Sequence, residues 1–304
     1  MSLKYMILQL LVAFAIAPLF DGICRNLRGK IQSRRGYPVL QTYFDLIKLL
    51  RRGRTAPNTA GWFFRVAPFL LFGFSALLVM LIPLSFTSTD SFSNLSNIFV
   101  IVYLLAAWRF VFGVASVESG NPFAVVGAGR ECLISLYVEP VLIICLIVVG
   151  FHAGSTNLVE IRNVLFENCG YVVPSFCVAA VAFLWACFVE TGRKPFDIAE
   201  ADQEVQEGVL AEYSGRDLAL FETAMILKQW AVLSFFVSLF VPLNLGNEFL
   251  NLLANAVLVA FMTVGGVLID NFGPRFRIIS SLKFKSGCMI GVALLSLGLY
   301  VVGA

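Results

Sequence analysis

Between Glu190 and Gly215 the chain reads ETGRKPFDIAEADQEVQEGVLAEYSG, with seven carboxylates: Glu190, Asp197, Glu200, Asp202, Glu204, Glu207 and Glu212. Asp197, Glu200, Glu204 and Glu207 are spaced three, four and three apart, which on a helix stacks four acids on one face. Like charges that close cannot all stay ionised cheaply, so some of these acids are expected to take up and release protons at working pH. Apolar runs flank the stretch on both sides. Charge this dense beside a bilayer is expensive and points to function. A solvated charged loop is the plainer reading, but the adjoining leaflet is itself negative and opposes it. Arg193 and Lys194 stand just before Asp197, placed to hold the acids together or to bind a partner's acid.

Two further charges fall inside apolar runs. Arg109 sits within LAAWRFVFG and Glu139 within LYVEPVLII, followed by Pro140. At such depth Arg109 is expected to face protein or water and to have an acid partner, most simply as an ion pair tying two helices. Glu139 is expected to be protonated or paired, with a part in proton transfer. Glu190, at the end of another apolar run, is suited to pass protons between the acidic segment and the membrane interior.

The elements that must position these groups are helices in a bilayer. Of 304 residues, 59% are hydrophobic and 13% charged, about half the charge fraction of a soluble domain, and the mean hydropathy is +0.86. The expected fold is all-α and polytopic, a single integral membrane domain over 1–304. Spans are read at roughly 3–24, 66–86, 96–117, 132–152, 172–190, 226–245, 249–269 and 284–303, each long enough to cross about 30 Å of hydrocarbon. Between alternate spans lie loops at about 25–65, 118–131, 191–225 and 270–283. Counted with the residues at their edges, they hold 19 of the 22 Lys and Arg. By the positive-inside rule these loops are cytoplasmic and both termini lie outside, which agrees with an even number of spans. Residues 1–24 have A-x-A spacing reminiscent of a signal peptide, but their positive charge follows the apolar run, which makes them a retained helix.

Within the first basic loop, Val39, Leu40, Tyr43, Phe44, Ile47 and Leu50 recur at helical spacing, with Asp45, Lys48, Arg51 and Arg52 elsewhere. This reads as an amphipathic surface helix, equally suited to the lipid interface and to docking a partner. The docking candidates are Arg34, Arg35, Tyr37, Asp45 and Lys48. Glu118 and Glu131 flank a glycine-rich loop containing Gly120, Pro122, Gly127 and Gly129.

The seven cysteines include no CxxC pair and there is one histidine, His152. A bis-histidine haem within the chain is excluded, and a Cys/His zinc or iron–sulfur site is not supported. No catalytic side chain, bound cofactor or nucleic-acid partner is indicated; the surroundings are the lipid bilayer.

The same residues carry a family resemblance. ETGRKPFDIAEADQEVQEGVLAEYSG resembles the signature of the complex I subunit 1 family, the membrane subunit that joins the peripheral arm to the membrane arm. ESGNPFAVVGAGRECLISLYVEP resembles that family's second signature, and SRRGYPVLQTYFDLIKLL its first cytoplasmic loop and surface helix. Within the family, SGNPFAVVGAGRE, VEP and AEADQEVQEGVLAEYSG are similar to the membrane subunits of formate hydrogenlyase-type, group 4 nickel–iron hydrogenases. The quinone-reducing branch tends to have Gly-Glu-Ser-Glu where this chain has Ala201-Asp202-Gln203-Glu204. Arg35-Gly36-Tyr37-Pro38 departs from the Arg-Gly-Pro-Gly usual in the hydrogenase relatives.

The resemblance implies a non-catalytic anchor in a bacterial inner membrane. Its nickel–iron centre and iron–sulfur clusters would lie in partner chains: hydrogenase large and small subunits and iron–sulfur subunits, alongside antiporter-like membrane subunits. It implies proton-linked roles for Glu139, Glu190, Asp197, Glu200, Asp202, Glu204 and Glu212, with Arg130 and Arg193 as counter-charges. The quinone-site subunit of a complex I is the alternative within the family. A stand-alone ion transporter is the alternative outside it, for which neither inverted repeats nor paired broken helices are visible.

Overall fold

The structure is a computed structural model that describes residues 3–84, 95–167, 173–194, 196–197, 208–241, 247–273 and 286–303. The helices are α1 (Leu3–Ile31), α2 (Gln41–Arg51), α3 (Trp62–Leu81), α4 (Ile98–Glu118), α5 (Pro122–Ala153), α6 (Leu158–Glu167), α7 (Pro174–Glu190), α8 (Gly215–Phe240), α9 (Glu248–Phe272) and α10 (Gly287–Val302), with one 3₁₀ turn at Gly208–Glu212. No strand occurs among the described residues. Six helices, α1, α3, α4, α5, α8 and α9, are long and apolar enough to cross a membrane; α7 and α10 are shorter apolar helices of 17 and 16 residues. The eight overlap the eight stretches expected to span, and six of them have the length and apolarity of a crossing helix.

Helix starts follow from local chemistry. Asn97 and Asn121 cap α4 and α5, each side-chain oxygen accepting from the backbone N–H two residues on, which satisfies a donor the helix leaves unpaired. Pro122 and Pro174 occupy the first turns of α5 and α7, where a missing N–H costs nothing. Gly154 ends α5 at φ 66°.

Several expected boundaries move. α5 starts at Pro122, so Arg130 and Glu131 ride on a helix and not on a glycine-rich loop. The Asn121–Pro122 start outweighs the scattered glycines, each of which costs a helix only about 1 kcal/mol. α8 starts at Gly215, which places Lys228, expected at a loop edge, near the middle of a 26-residue helix. α6 was not expected; it packs against α5 and α8 at the end of the bundle away from the basic loops.

α8 is the most enclosed of the long helices, packed against α1, α2, α3, α7 and α9. The main core joins α1, α3, α4, α5, α7 and α8, and a second cluster of Phe64, Trp108, Phe112, Tyr213 and Phe221 fills the basic-loop end. At that end the alternate loops meet: Arg54 pairs with Asp217 at 3.2 Å, Thr55 bonds Ser214, and Asn121 donates to Glu212 at 3.0 Å. At the other end Arg162 and Ser238 both donate to the Pro83 carbonyl. Large side chains such as Tyr103, Phe110, Phe261 and Phe272 stand exposed around the bundle, as lipid-facing positions require.

Candidate functional site: a buried charge relay

Four helices bring four charges together in the interior. Arg109, near the middle of α4, lies 2.9 Å from Glu139 on α5 and 3.1 Å from Glu190 at the end of α7. Lys228 on α8 lies 3.1 Å from the other oxygen of Glu190. Arg109, Glu190 and Lys228 are each at most 7% exposed. Buried ions of one sign would be prohibitive here, but two cations against two carboxylates offset most of the desolvation. The short α7 helps. Its C-terminal carbonyls carry partial negative charge, which favours the two cations and penalises Glu190 unless they are present. Trp108 completes the lining, its ring 4.3 Å from the Lys228 ammonium and its N–H donating to Ser75 Oγ at 3.0 Å.

The contacts are ionic by distance but loosely aligned. Neither terminal nitrogen of Arg109, nor the Glu190 oxygen facing Lys228, meets the angle of a hydrogen bond. Coulomb attraction holds the group together more than directional bonding does.

The relay opens in two directions. Towards the acidic segment, a cavity of about 40 Å³ is lined by Glu131, Glu190, Asp197, Lys228, Gln229 and neighbouring apolar residues, room for a few waters at roughly 10–15 Å³ each. In the other direction, Arg109 and Glu139 line a groove of about 480 Å³ between α4 and α5. The Glu139 side chain is 35% exposed there, near the middle of a 32-residue helix. Charged groups therefore run from Asp197, across the cavity, through Glu190 and Arg109 to Glu139 at the lateral surface of the bundle.

The sequence expectations divide accordingly. Glu139, Glu190 and Arg109 meet, and the ion pair expected of Arg109 is present with two acids. Asp197 lines the adjoining cavity. Glu200, Asp202, Glu204 and Glu207 lie outside the described residues. Glu212 is apart from the relay, bonded to Asn121 at the basic-loop end. Among the described residues, the Arg193 guanidinium donates to Cys24 Sγ at 3.2 Å and Gln229 Oε1 at 3.3 Å. Arg130 and Lys194 are partly buried and outside the Arg109–Glu190 contacts. Of the docking candidates, Arg34, Arg35, Tyr37 and Lys48 are exposed. Asp45 is engaged within the chain, accepting from Gln41 at 2.8 Å and pairing with Arg25 at 3.4 Å. On α2, Thr42 and Leu46 face the protein while Phe44, Ile47 and Leu50 face outwards.

Lys228 and Gln229 were not singled out by sequence reasoning, and Glu131 was read only as the edge of a glycine-rich loop. The signal for Lys228 was a single cation inside MILKQWAVL, an apolar run already assigned to the membrane. Among the described residues no group of three or more His, Cys, Asp or Glu is arranged to hold a metal ion.

Residues 3–301 match a family model described as NADH dehydrogenase. Formate hydrogenlyase subunit 4 of Escherichia coli (strain K12) is 38% identical over 285 residues, covering 91% of this chain and 92% of that protein. Hydrogenase-4 component C of the same organism is 42% identical over 241 residues, covering 79% and 76%. NADH-ubiquinone oxidoreductase chain 1 of Cyanidium caldarium is 31% identical over 229 residues, covering 72% and 64%. In fold, a chain of the membrane-bound sulfane sulfur reductase, an archaeal respiratory membrane complex, superposes with a TM-score of 0.87 at 23% identity, covering 96% of this chain and 97% of its own.

Proposed function

We propose, because the chain belongs to the NADH dehydrogenase family and is more similar to its formate hydrogenlyase and hydrogenase-4 members than to NADH-ubiquinone oxidoreductase chain 1, that it is the membrane anchor and proton-coupling subunit of a membrane-bound hydrogenase complex. The observation that carries the coupling role is the Glu190 carboxylate held between Arg109 and Lys228, with Glu139 sharing Arg109. A proton arriving at either carboxylate cancels one charge of a balanced set, so the cations must redistribute. Equally, a field change at the basic-loop end alters the proton affinity of the set.

On this reading the basic-loop end, in the cytoplasm of a bacterial cell whose inner membrane holds the chain, docks the hydrogenase large and small subunits and the iron–sulfur subunits. Those chains would hold the nickel–iron centre and the clusters. A partly exposed, charged Glu139 at mid-span cannot face lipid without a cost of roughly 2.5–3.5 kcal/mol. The α4–α5 groove is therefore read as the seat of a neighbouring membrane subunit of antiporter-like type.

The test uses the complex purified through a tag on this chain and reconstituted in liposomes. Glu139→Gln and Glu190→Gln should each lower protons moved per hydrogen evolved while the partner set stays intact. Unchanged coupling in both would overturn the coupling role, and recovery of quinone-reducing partners would move the chain to the complex I branch.

A further inference from the structure

A second small cavity, of about 20 Å³, lies between α1, α8 and α9, lined by Asp21, Arg193, Gln229, Trp230 and Thr263 with apolar neighbours. Its volume is that of one or two waters. The cavity beside Glu190 is also lined by Gln229, so the two share that side chain as a wall. Gln229 is held in place by its amide N–H to the Thr191 carbonyl at 2.9 Å and by Arg193 donating to its oxygen at 3.3 Å.

Trp230 supplies an independent sign of a ligand. It is 4% exposed, lines the second cavity, and its indole N–H has no acceptor among the described residues. A buried donor without an acceptor is costly, and a cavity of this size with Asp21, Gln229 and Thr263 around it offers a water two to four partners. Asp21 joins this cavity to the outside: its side chain is 20% exposed and held by Arg25 at 2.8 Å and Thr42 Oγ1 at 3.0 Å. The other charges around it are Asp45 on α2 behind Arg25, Arg193 beside Cys24, and the Arg28–Asp270 pair farther along α1 and α9.

We propose that Asp21 is a second proton entrance to the relay, joined to the Glu190 site by a water anchored on Trp230 and partitioned from it by Gln229. The inference rests on the coupling role proposed above. In the step, the Asp21 O–H bond breaks as its proton passes to the cavity water. The water releases one of its own protons towards a Glu190 carboxylate oxygen, where a new O–H bond forms, and Asp21 is reprotonated from the medium. A neutral amide is a poor proton carrier, so Gln229 must swing away from Thr191 and Arg193 for the two cavities to join.

The experiment uses the intact complex in liposomes, following proton translocation per hydrogen evolved and its solvent isotope effect. Asp21→Asn is expected to slow translocation by the share this entrance carries, leaving the Asp197 side open, with Asp21→Glu restoring most of it. Trp230→Phe keeps the packing and removes the N–H; it is expected to slow translocation and enlarge the isotope effect, and it decides the matter should Asp21→Asn fail to assemble. Wild-type rates and isotope effects in the assembled variants would overturn the entrance. Glu190→Gln is run alongside: if it abolishes coupling while Asp21→Asn and Trp230→Phe do not, the entrance fails and the relay stands. If Glu190→Gln is silent, the relay itself fails.

Discussion

Lys228 and Glu190 form a buried pair, ammonium to carboxylate 3.1 Å, each less than a tenth exposed. Removing Lys228 leaves Arg109 alone against two carboxylates in the interior, an unbalanced buried charge that costs roughly 3–5 kcal/mol. Lys228→Met should therefore lower the melting temperature of the purified chain sharply. The double variant Lys228→Met/Glu190→Gln should recover much of that loss, as coupled neighbours do. Additive losses in a double-mutant cycle would contradict the pairing.

The α4–α5 groove makes a positional prediction. A photo-crosslinking residue at Phe110 or Leu136, both exposed beside the groove, should capture a neighbouring membrane subunit. The same residue at Phe261 on α9, which is 78% exposed, should capture lipid. Equal lipid labelling at all three positions would argue that the groove is uncovered.

Tyr213 holds the basic-loop end together. Its ring stacks on Phe64 at 4.1 Å, and its hydroxyl donates to the Phe64 carbonyl at 3.1 Å. Burial, with Asp217 nearby, pushes that hydroxyl above the ordinary phenol range. The folded state thus favours the neutral phenol. The stability tied to this shift is complete below roughly pH 10, the unperturbed value, and is lost as pH rises through the higher folded value. Tyr213→Phe should cost about 1 kcal/mol at neutral pH, and its difference from the wild type should shrink under alkaline conditions. A constant difference across an alkaline melting series would contradict this assignment.

Gly215 begins α8 at φ 55°, where an added β-carbon would fall on the Gly53 carbonyl. A side chain there meets Gly53 and must also adopt a left-handed conformation, strain of order 1–3 kcal/mol before the clash is counted. Gly215→Ala is expected to loosen the Arg54–Asp217 contact and the seat of α2 on α8. Faster proteolysis between α2 and α3 would report it, and a wild-type cleavage pattern would refute it.

The membrane class, the apolar helices, the amphipathic α2 and the presence of Arg109, Glu139 and Glu190 in or at the ends of apolar runs were determined by the sequence itself. Hydropathy and helical spacing are local properties, and a charge inside an apolar run needs no partner to be conspicuous. Local cues were weaker at helix ends. Glycines in 120–129 resembled a loop until the Asn121–Pro122 cap committed the segment to α5, and Lys228 looked like a loop edge. Only the tertiary structure decided that Lys228 and Arg109 share Glu190, that Arg193 turns to Cys24 and Gln229, and that Glu139 looks outwards. Those pairings join residues far apart in the chain, and which faces of α4, α5, α7 and α8 meet depends on how whole helices pack. Charge balance favours the packing in which Arg109, Lys228, Glu139 and Glu190 each have an opposite neighbour.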